Sequence, residues 1–103
     1  MSRSYRFTVD ADRDLLRVWL DTELRWGEKQ ADKYMDALHA RCQRIVEGAA
    51  AGKSFEGSAE ISFYLCEHHY LFYTEWENTV VVIAVMHEHM DLPRRLADRM
   101  AGM

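Results

Sequence analysis

Apolar runs in the second half of the chain predict a β-hairpin. Residues 69–73 and 80–86 are rich in β-branched and aromatic side chains, and Glu77 and Asn78 lie in the short polar turn between them. The second run is apolar at every position, which is typical of a strand buried on both faces. An alternating run at 61–66 predicts another strand just before the hairpin. The pattern therefore predicts three consecutive antiparallel strands.

The first half predicts one strand followed by two helices. Residues 5–9 alternate between apolar and polar side chains, as a half-buried strand does. Apolar residues then recur at helical spacing over 11–24, and Gly27 supplies a stop. A cleaner stripe with a 3.6-residue period covers 31–46 and ends at Gly48. These two segments predict a helical hairpin.

Two further segments complete the chain. Residues 48–57 are small and show no periodicity, so we expect a connecting loop. Leu92, Leu96 and Met100 can line one face of a short terminal helix. A strand, a helical hairpin and a meander bury their apolar faces when the helices lie across one face of the sheet. We therefore predict one α+β domain over 1–103, with two layers, a mostly antiparallel sheet and a short C-terminal helix.

Composition limits the classes of protein that need to be considered. With 103 residues and 49% hydrophobic content, the chain can bury roughly two-thirds of the surface of its unfolded state, enough for a single core. Cys42 and Cys66 do not form a C-x-x-C motif, which suits two reduced thiols. The apolar runs are too short to span about 30 Å of hydrocarbon. We expect a cytoplasmic protein that makes no contact with membranes.

The charge distribution argues against nucleic-acid binding by the sheet. The net charge is -4, and no Lys or Arg occurs from Ser54 through Pro93, a stretch with seven acidic residues. Affinity for nucleic acids depends on cations near the phosphates. We therefore expect no direct sequence-specific binding to nucleic acid. Beyond the gap, Arg94, Arg95 and Arg99 form either a solvated helix face or a cationic contact surface.

Four histidines near the predicted strand ends raise the question of a metal site. His68 and His69 are adjacent and would point to opposite faces of a strand, whereas His87 and His89 could chelate together if the strand continued that far. Imidazoles at strand ends are more often part of hydrogen-bonded structure or of an interface. We predict no metal and no cofactor.

The three tryptophans are expected to play different roles. We expect Trp19 in the core and Trp26 as an anchor of the turn between the helices. Trp76 lies between two glutamates at the hairpin tip and is expected to be exposed, which favours contact with a partner.

A set of residues spread over nearly the whole chain has a specific order and spacing, although no single piece of it would identify a family. The residues are Ala11, Asp14, Leu15, Trp26, Gly27, Gln30, Ala31, Tyr34, Leu38, His69, Phe72, Tyr73, Met86, His87, Met90 and Asp91. Together they resemble the ParE group of bacterial toxins, within the ParE/RelE superfamily.

The resemblance implies the toxin of a type II toxin-antitoxin pair, which inhibits DNA gyrase and is neutralised in a hetero-oligomer with a ParD-like antitoxin. RelE-like relatives instead cut messenger RNA on the ribosome with a cluster of cations. Because the predicted sheet lacks such cations, we expect no catalytic residues. Two alternatives stay open, namely RelE-like cleavage of messenger RNA and a non-toxic module that binds the antitoxin as a corepressor.

Two groups of residues are candidates for these contacts. The antitoxin should offer an amphipathic helix and an extended tail, which fill an apolar groove between the helical hairpin and the sheet. Its predicted contacts are Leu16, Leu20, Tyr34 and Trp76. The segment that leaves the last strand carries the C-terminal cations and is expected to bind the target. Its predicted contacts are His87, His89, Met90, Asp91, Arg94 and Arg95.

Overall fold

The computed structural model describes residues 3–56 and 58–102, and it confirms the predicted α+β fold. A five-stranded sheet has the order β1-β5-β4-β3-β2, in which β1 is parallel to β5 and the other neighbours are antiparallel. The elements are β1 (Ser4–Phe7), α1 (Val9–Trp26), α2 (Glu28–Val46), β2 (Lys53–Phe55), β3 (Ser58–Cys66), β4 (His69–Trp76), β5 (Thr79–His87) and α3 (Leu92–Ala101).

Local signals in the sequence determine the helical hairpin. The Thr8 side chain caps α1 by accepting a hydrogen bond from the Ala11 N–H at 3.1 Å. Gly27 separates α1 from α2 with a φ of 91°, a left-handed conformation that favours glycine. Trp19, predicted in the core, is only half-buried, and its indole N–H donates to the Asp32 carboxylate at 2.9 Å. This bond links the two helices.

Strand β5 lies inside the sheet, and all residues from Val80 to Met86 are buried. The register of its pairing with β4 shifts at one point. Phe72 pairs with Ala84 and Tyr73 pairs with Val82, so Ile83 has no partner on β4. Such a bulge reverses the alternation of side chains between the faces. Val82 and Val85 consequently pack on the same side, in the core beneath α1 and α2. Other residues of the strand pack on the opposite face, and burial on both faces accounts for a strand that is apolar at every position.

The opposite face of the sheet carries a second apolar cluster, and α3 covers part of it. Leu96 of α3 is fully buried in this cluster together with Ile83 and Met86. The helices therefore lie on both faces of the sheet, with the hairpin on one side and the shorter α3 on the other. Four aromatic side chains extend the second cluster across the neighbouring strands, namely Phe55, Phe63, Tyr70 and Phe72.

The prediction of a loop over 48–57 was wrong in part, because Lys53–Phe55 forms β2 at the edge of the sheet. Before it, the Gly52 N–H donates to the Tyr73 hydroxyl at 2.8 Å. A Cβ at Gly52 would lie 2.6 Å from the Phe63 carbonyl oxygen, so that only glycine fits this approach. A strand of three residues is too short to show a period of two.

Within residues 3–56 and 58–102, no helix combines the length and the apolar character needed to cross a bilayer.

Candidate functional site

An apolar stripe follows the solvent-facing side of α1. Leu16, Leu20 and Leu24 are spaced four residues apart and are 59%, 50% and 84% exposed. The side of α1 that faces the sheet buries other residues, such as Leu15 and Val18. Because i and i+4 positions lie on one face of a helix, the three exposed leucines form a continuous surface, which we call the outer stripe.

The predicted groove between the hairpin and the sheet exists, but Leu16 and Leu20 do not line it. A cavity of about 650 Å³ there is lined by Val18 of α1, Tyr34 of α2 and His69 of β4, among other residues. The prediction that placed Leu16, Leu20 and Tyr34 in one groove was therefore wrong. Helix α1 carries apolar residues on two faces. The spacing of these residues along the sequence did not reveal which of the two faces would pack against the sheet.

Tyr34 connects α2 with the turn between β3 and β4. Its hydroxyl accepts the His68 backbone N–H at 3.1 Å and lies 2.6 Å from the Nδ1 of His69. Burial, together with the charges of the neighbouring His87 and His68, lowers the pKa of His69 to about 4, so that His69 is neutral at pH 7. The Tyr34 hydroxyl is therefore hydrogen-bonded to a neutral imidazole. This part of the predicted antitoxin contact is engaged within the chain.

The predicted target-binding segment begins where β5 leaves the sheet. His87 is half-buried, whereas His89, Met90 and Asp91 are exposed. The His87 carbonyl accepts the Met90 N–H at 3.0 Å, which closes a turn directly after the strand. The ring centroids of His87 and His89 are 5.1 Å apart, and the same distance separates His69 from His87. The structure therefore gathers imidazoles at this end of the sheet.

Glu88 forms a hydrogen bond with a further histidine, His68. Its carboxylate lies 2.7 Å from the Nδ1 of His68, and this hydrogen bond holds the pKa of Glu88 below its usual value. No group of three or more His, Cys, Asp or Glu in the described part of the chain has an arrangement that could hold a metal ion.

The three C-terminal arginines divide into two kinds. Arg94 and Arg95 are exposed on α3, and no carboxylate of the described residues forms an ion pair with them. Arg99 instead donates two hydrogen bonds to Asp14, with Nη1–Oδ2 and Nη2–Oδ1 distances of 2.9 and 3.0 Å. It also donates to the Ile83 carbonyl at 2.7 Å. Of these three arginines, Arg94 and Arg95 are therefore the two without an ion pair among residues 3–56 and 58–102.

Asp14 is a structural residue that sequence reasoning did not single out by its chemistry. It is the buried charged side chain of the described residues, and it accepts the Val85 N–H at 3.0 Å as well as the Arg99 guanidinium. The signal in the sequence was an acidic residue on the buried face of α1, beside Ala11, Leu15 and Val18. A carboxylate at such a position requires a partner.

Two tryptophans lie at the surface. Trp76 is 67% exposed at the hairpin tip, as predicted. Trp26, predicted to anchor the turn between α1 and α2, is 74% exposed and lies on the rim of the cavity that contains Tyr34. The break between the helices is made by Gly27.

Comparison with solved structures defines the class of protein to which this fold belongs. A chain of the chromosomal ParDE TA system from P. aeruginosa has the same fold, with a TM-score of 0.72 and 14% sequence identity. The match covers 84% of this chain and 96% of that one. The fold is therefore that of the RelE/ParE-like α+β proteins.

Sequence comparison specifies the family. The model described as "ParE toxin of type II toxin-antitoxin system, parDE" matches residues 5–92. Toxin ParE of Escherichia coli is 34% identical over 101 residues, which cover 96% of this chain and 98% of the relative. Toxin ParE1 of Mycobacterium tuberculosis is 31% identical, with 93% and 100% covered. The chain belongs to the ParE family and is a toxin of a parDE type II toxin-antitoxin system.

Proposed function

We propose that this toxin acts in the cytoplasm by binding DNA gyrase and inhibiting it, without catalysis of its own, and that a ParD-like antitoxin neutralises it in a hetero-oligomer. The observation that supports the gyrase contact is the pair of exposed cations, Arg94 and Arg95, which begins three positions after the exposed segment His89–Asp91. Exposed arginines without an internal partner favour contact with an acidic surface on another protein.

The charge of the sheet supports a binding mechanism over cleavage of RNA. Catalysis at a phosphodiester requires positive groups around the charge that develops in the transition state. Strands β3, β4 and β5 contain no Lys or Arg, and His69 of β4 is neutral at pH 7. These three strands thus lack the cations that would stabilise such a transition state.

The test of this proposal is a titration of the purified toxin into two assays in parallel. One follows gyrase supercoiling together with trapped, cleaved DNA, and the other follows ribosome-dependent cleavage of messenger RNA. We expect inhibition of gyrase with intact message. Cleaved message with normal supercoiling would overturn the proposal and assign the activity to the histidines. Absence of growth arrest on expression in a host without the antitoxin would indicate the non-toxic corepressor instead.

For the antitoxin we propose that an amphipathic helix packs along the outer stripe. Leu16 and Leu20 lie at the centre of this surface, and apolar helix faces of this kind are recognised by a helix with anchors at i, i+3, i+4 and i+7. Burial of these leucines against the antitoxin stabilises the complex by about 25 cal/mol per Å² of apolar area removed from water. Exposed leucines can therefore contribute much of the binding free energy. Trp76 is proposed as a separate contact, because it lies on the hairpin tip and not on α1.

Replacement of Leu16 and Leu20 together with glutamate is expected to weaken antitoxin binding by about a hundredfold or more, since two central apolar anchors are lost. The dissociation constant is to be measured by isothermal titration calorimetry with the full-length antitoxin. Leu65→Glu is the matched control, because Leu65 is also exposed but lies on β3. Equal affinities for the control and the double variant would refute the assignment of the outer stripe.

A further inference from the structure

The hydrogen-bonded ladder between β3 and β4 ends before either strand does. Its last pair is Ser62 with Tyr73, whereas β4 continues to Trp76 and is paired there with β5 alone. Adjacent residues 54 and 55 of β2 pair with residues 62 and 58 of β3, so residues 59–61 have no partner on β2. Extra residues in one strand bend that strand, and β3 bends towards β2. The strands diverge, and a cleft of about 470 Å³ opens between them, which we call the β3–β4 cleft.

The main chain of β4 presents an unpaired edge to this cleft. Residues 77–78 form a two-residue turn with φ values of 48° and 63°, and Trp76 and Thr79 flank it as a pair. The residues that flank such a turn are hydrogen-bonded to each other. Because the direction of the main-chain groups alternates along a strand, the N–H and C=O of Glu75 point away from β5 and towards the cleft.

The side chains around the cleft are acidic and aromatic. Glu60 and Glu75 line it together with Trp76, and no Lys or Arg is among the lining residues. The Glu75 carboxylate forms an ion pair with Arg3, whereas the Glu60 carboxylate has no ion pair among residues 3–56 and 58–102. An unpaired carboxylate beside an exposed indole attracts a cation by charge and by cation–π contact.

We propose that the β3–β4 cleft binds an extended segment of the antitoxin, which pairs with the main chain of Glu75 and places a Lys or Arg side chain between Glu60 and Trp76. The inference rests on the proposed partnership with an antitoxin and adds a second contact to it, remote from the outer stripe. An open strand edge offers main-chain hydrogen bonds to an extended peptide, and the neighbouring side chains select what that peptide carries. The acidic lining selects a basic segment.

Glu60→Lys tests the charge of this contact. Glu56→Lys is the matched control, because it makes the same charge reversal nearby but outside the lining of the cleft. With full-length antitoxin, we expect Glu60→Lys to weaken binding by about tenfold and the control to stay close to the wild type, since a like charge then faces the bound cation. Both positions are exposed, so neither substitution removes a buried contact.

Amide hydrogen exchange tests the main-chain contact separately. We expect exchange at the Glu75 amide to slow when the antitoxin binds, because strand pairing protects this N–H, whereas a contact through side chains alone would leave it unprotected. Equal affinities for Glu60→Lys and Glu56→Lys, or an unchanged Glu75 amide in the complex, would overturn the inference while the antitoxin partnership stands. Failure of the wild-type toxin to bind any antitoxin would contradict the partnership itself.

Discussion

Replacement of Arg94 and Arg95 together with glutamate is expected to abolish growth arrest while the fold and the affinity for the antitoxin are retained. Both guanidinium groups are exposed on α3, and within the described residues neither takes part in an ion pair, so their loss removes no internal contact. Charge reversal places like charges against an acidic partner, which costs several kcal/mol at an interface. Toxicity depends on that contact in the proposed mechanism.

The measurement is the number of viable cells after induction of the toxin, paired with gyrase inhibition by the purified variant. A double variant with Arg6→Glu and Arg44→Glu is the matched control, because it changes the net charge equally at two exposed positions on other elements. Growth arrest by the Arg94 and Arg95 variant at the level of the wild type would refute the assignment of α3 to the target contact.

The second large effect is expected from Arg99→Met. This substitution removes the guanidinium that donates two hydrogen bonds to the buried Asp14 carboxylate, and only the exposed Arg17 remains near it, at 3.6 Å. Loss of one member of a buried ion pair lowers the free energy of unfolding by about 3–5 kcal/mol. The Ile83 carbonyl also loses the hydrogen bond that it accepts from Arg99. Strand β1 ends opposite Val82, and the Arg99 guanidinium occupies the position that a neighbouring strand would take beyond that point.

Urea denaturation is the suitable measurement, with Arg95→Met as a control on the exposed side of the same helix. Asp14→Asn and the double variant complete a thermodynamic cycle, which isolates the coupling between the two side chains. We expect the double variant to be less destabilised than the sum of the single variants. A loss for Arg99→Met no larger than that for Arg95→Met would show that the ion pair does not hold α3 to the body of the protein.

These two experiments separate arginines that look alike in the sequence. Arg94, Arg95 and Arg99 occur within six positions, and their charges are the same. Arg99 lies one turn beyond Leu96, and it meets Asp14, 85 residues earlier in the chain, because α3 packs on the face of β5. No local pattern reports a contact over that separation. The tertiary structure alone distinguishes the structural cation from the two free ones.

The outer stripe and the β3–β4 cleft could not be predicted for a related reason. Spacing along α1 identified a helix with apolar residues, but Leu15 and Leu16 are adjacent, and only packing against the sheet showed that Leu16 faces solvent. The cleft depends on where the β3–β4 ladder stops, which is a matter of pairing between strands. Register and packing depend on how two elements meet, whereas periodicity can be recognised within a single element.

The sequence by itself determined the helices, the main hairpin and the family. The Gly27 break and the Glu77–Asn78 turn act within a few residues, so the residues that cause these features also reveal them. Only the tertiary structure decided which leucines remain exposed, which arginine pairs with Asp14, and that residues 53–55 form the short strand β2. Those outcomes depend on contacts between distant segments, whose free energy is set by packing of the whole chain.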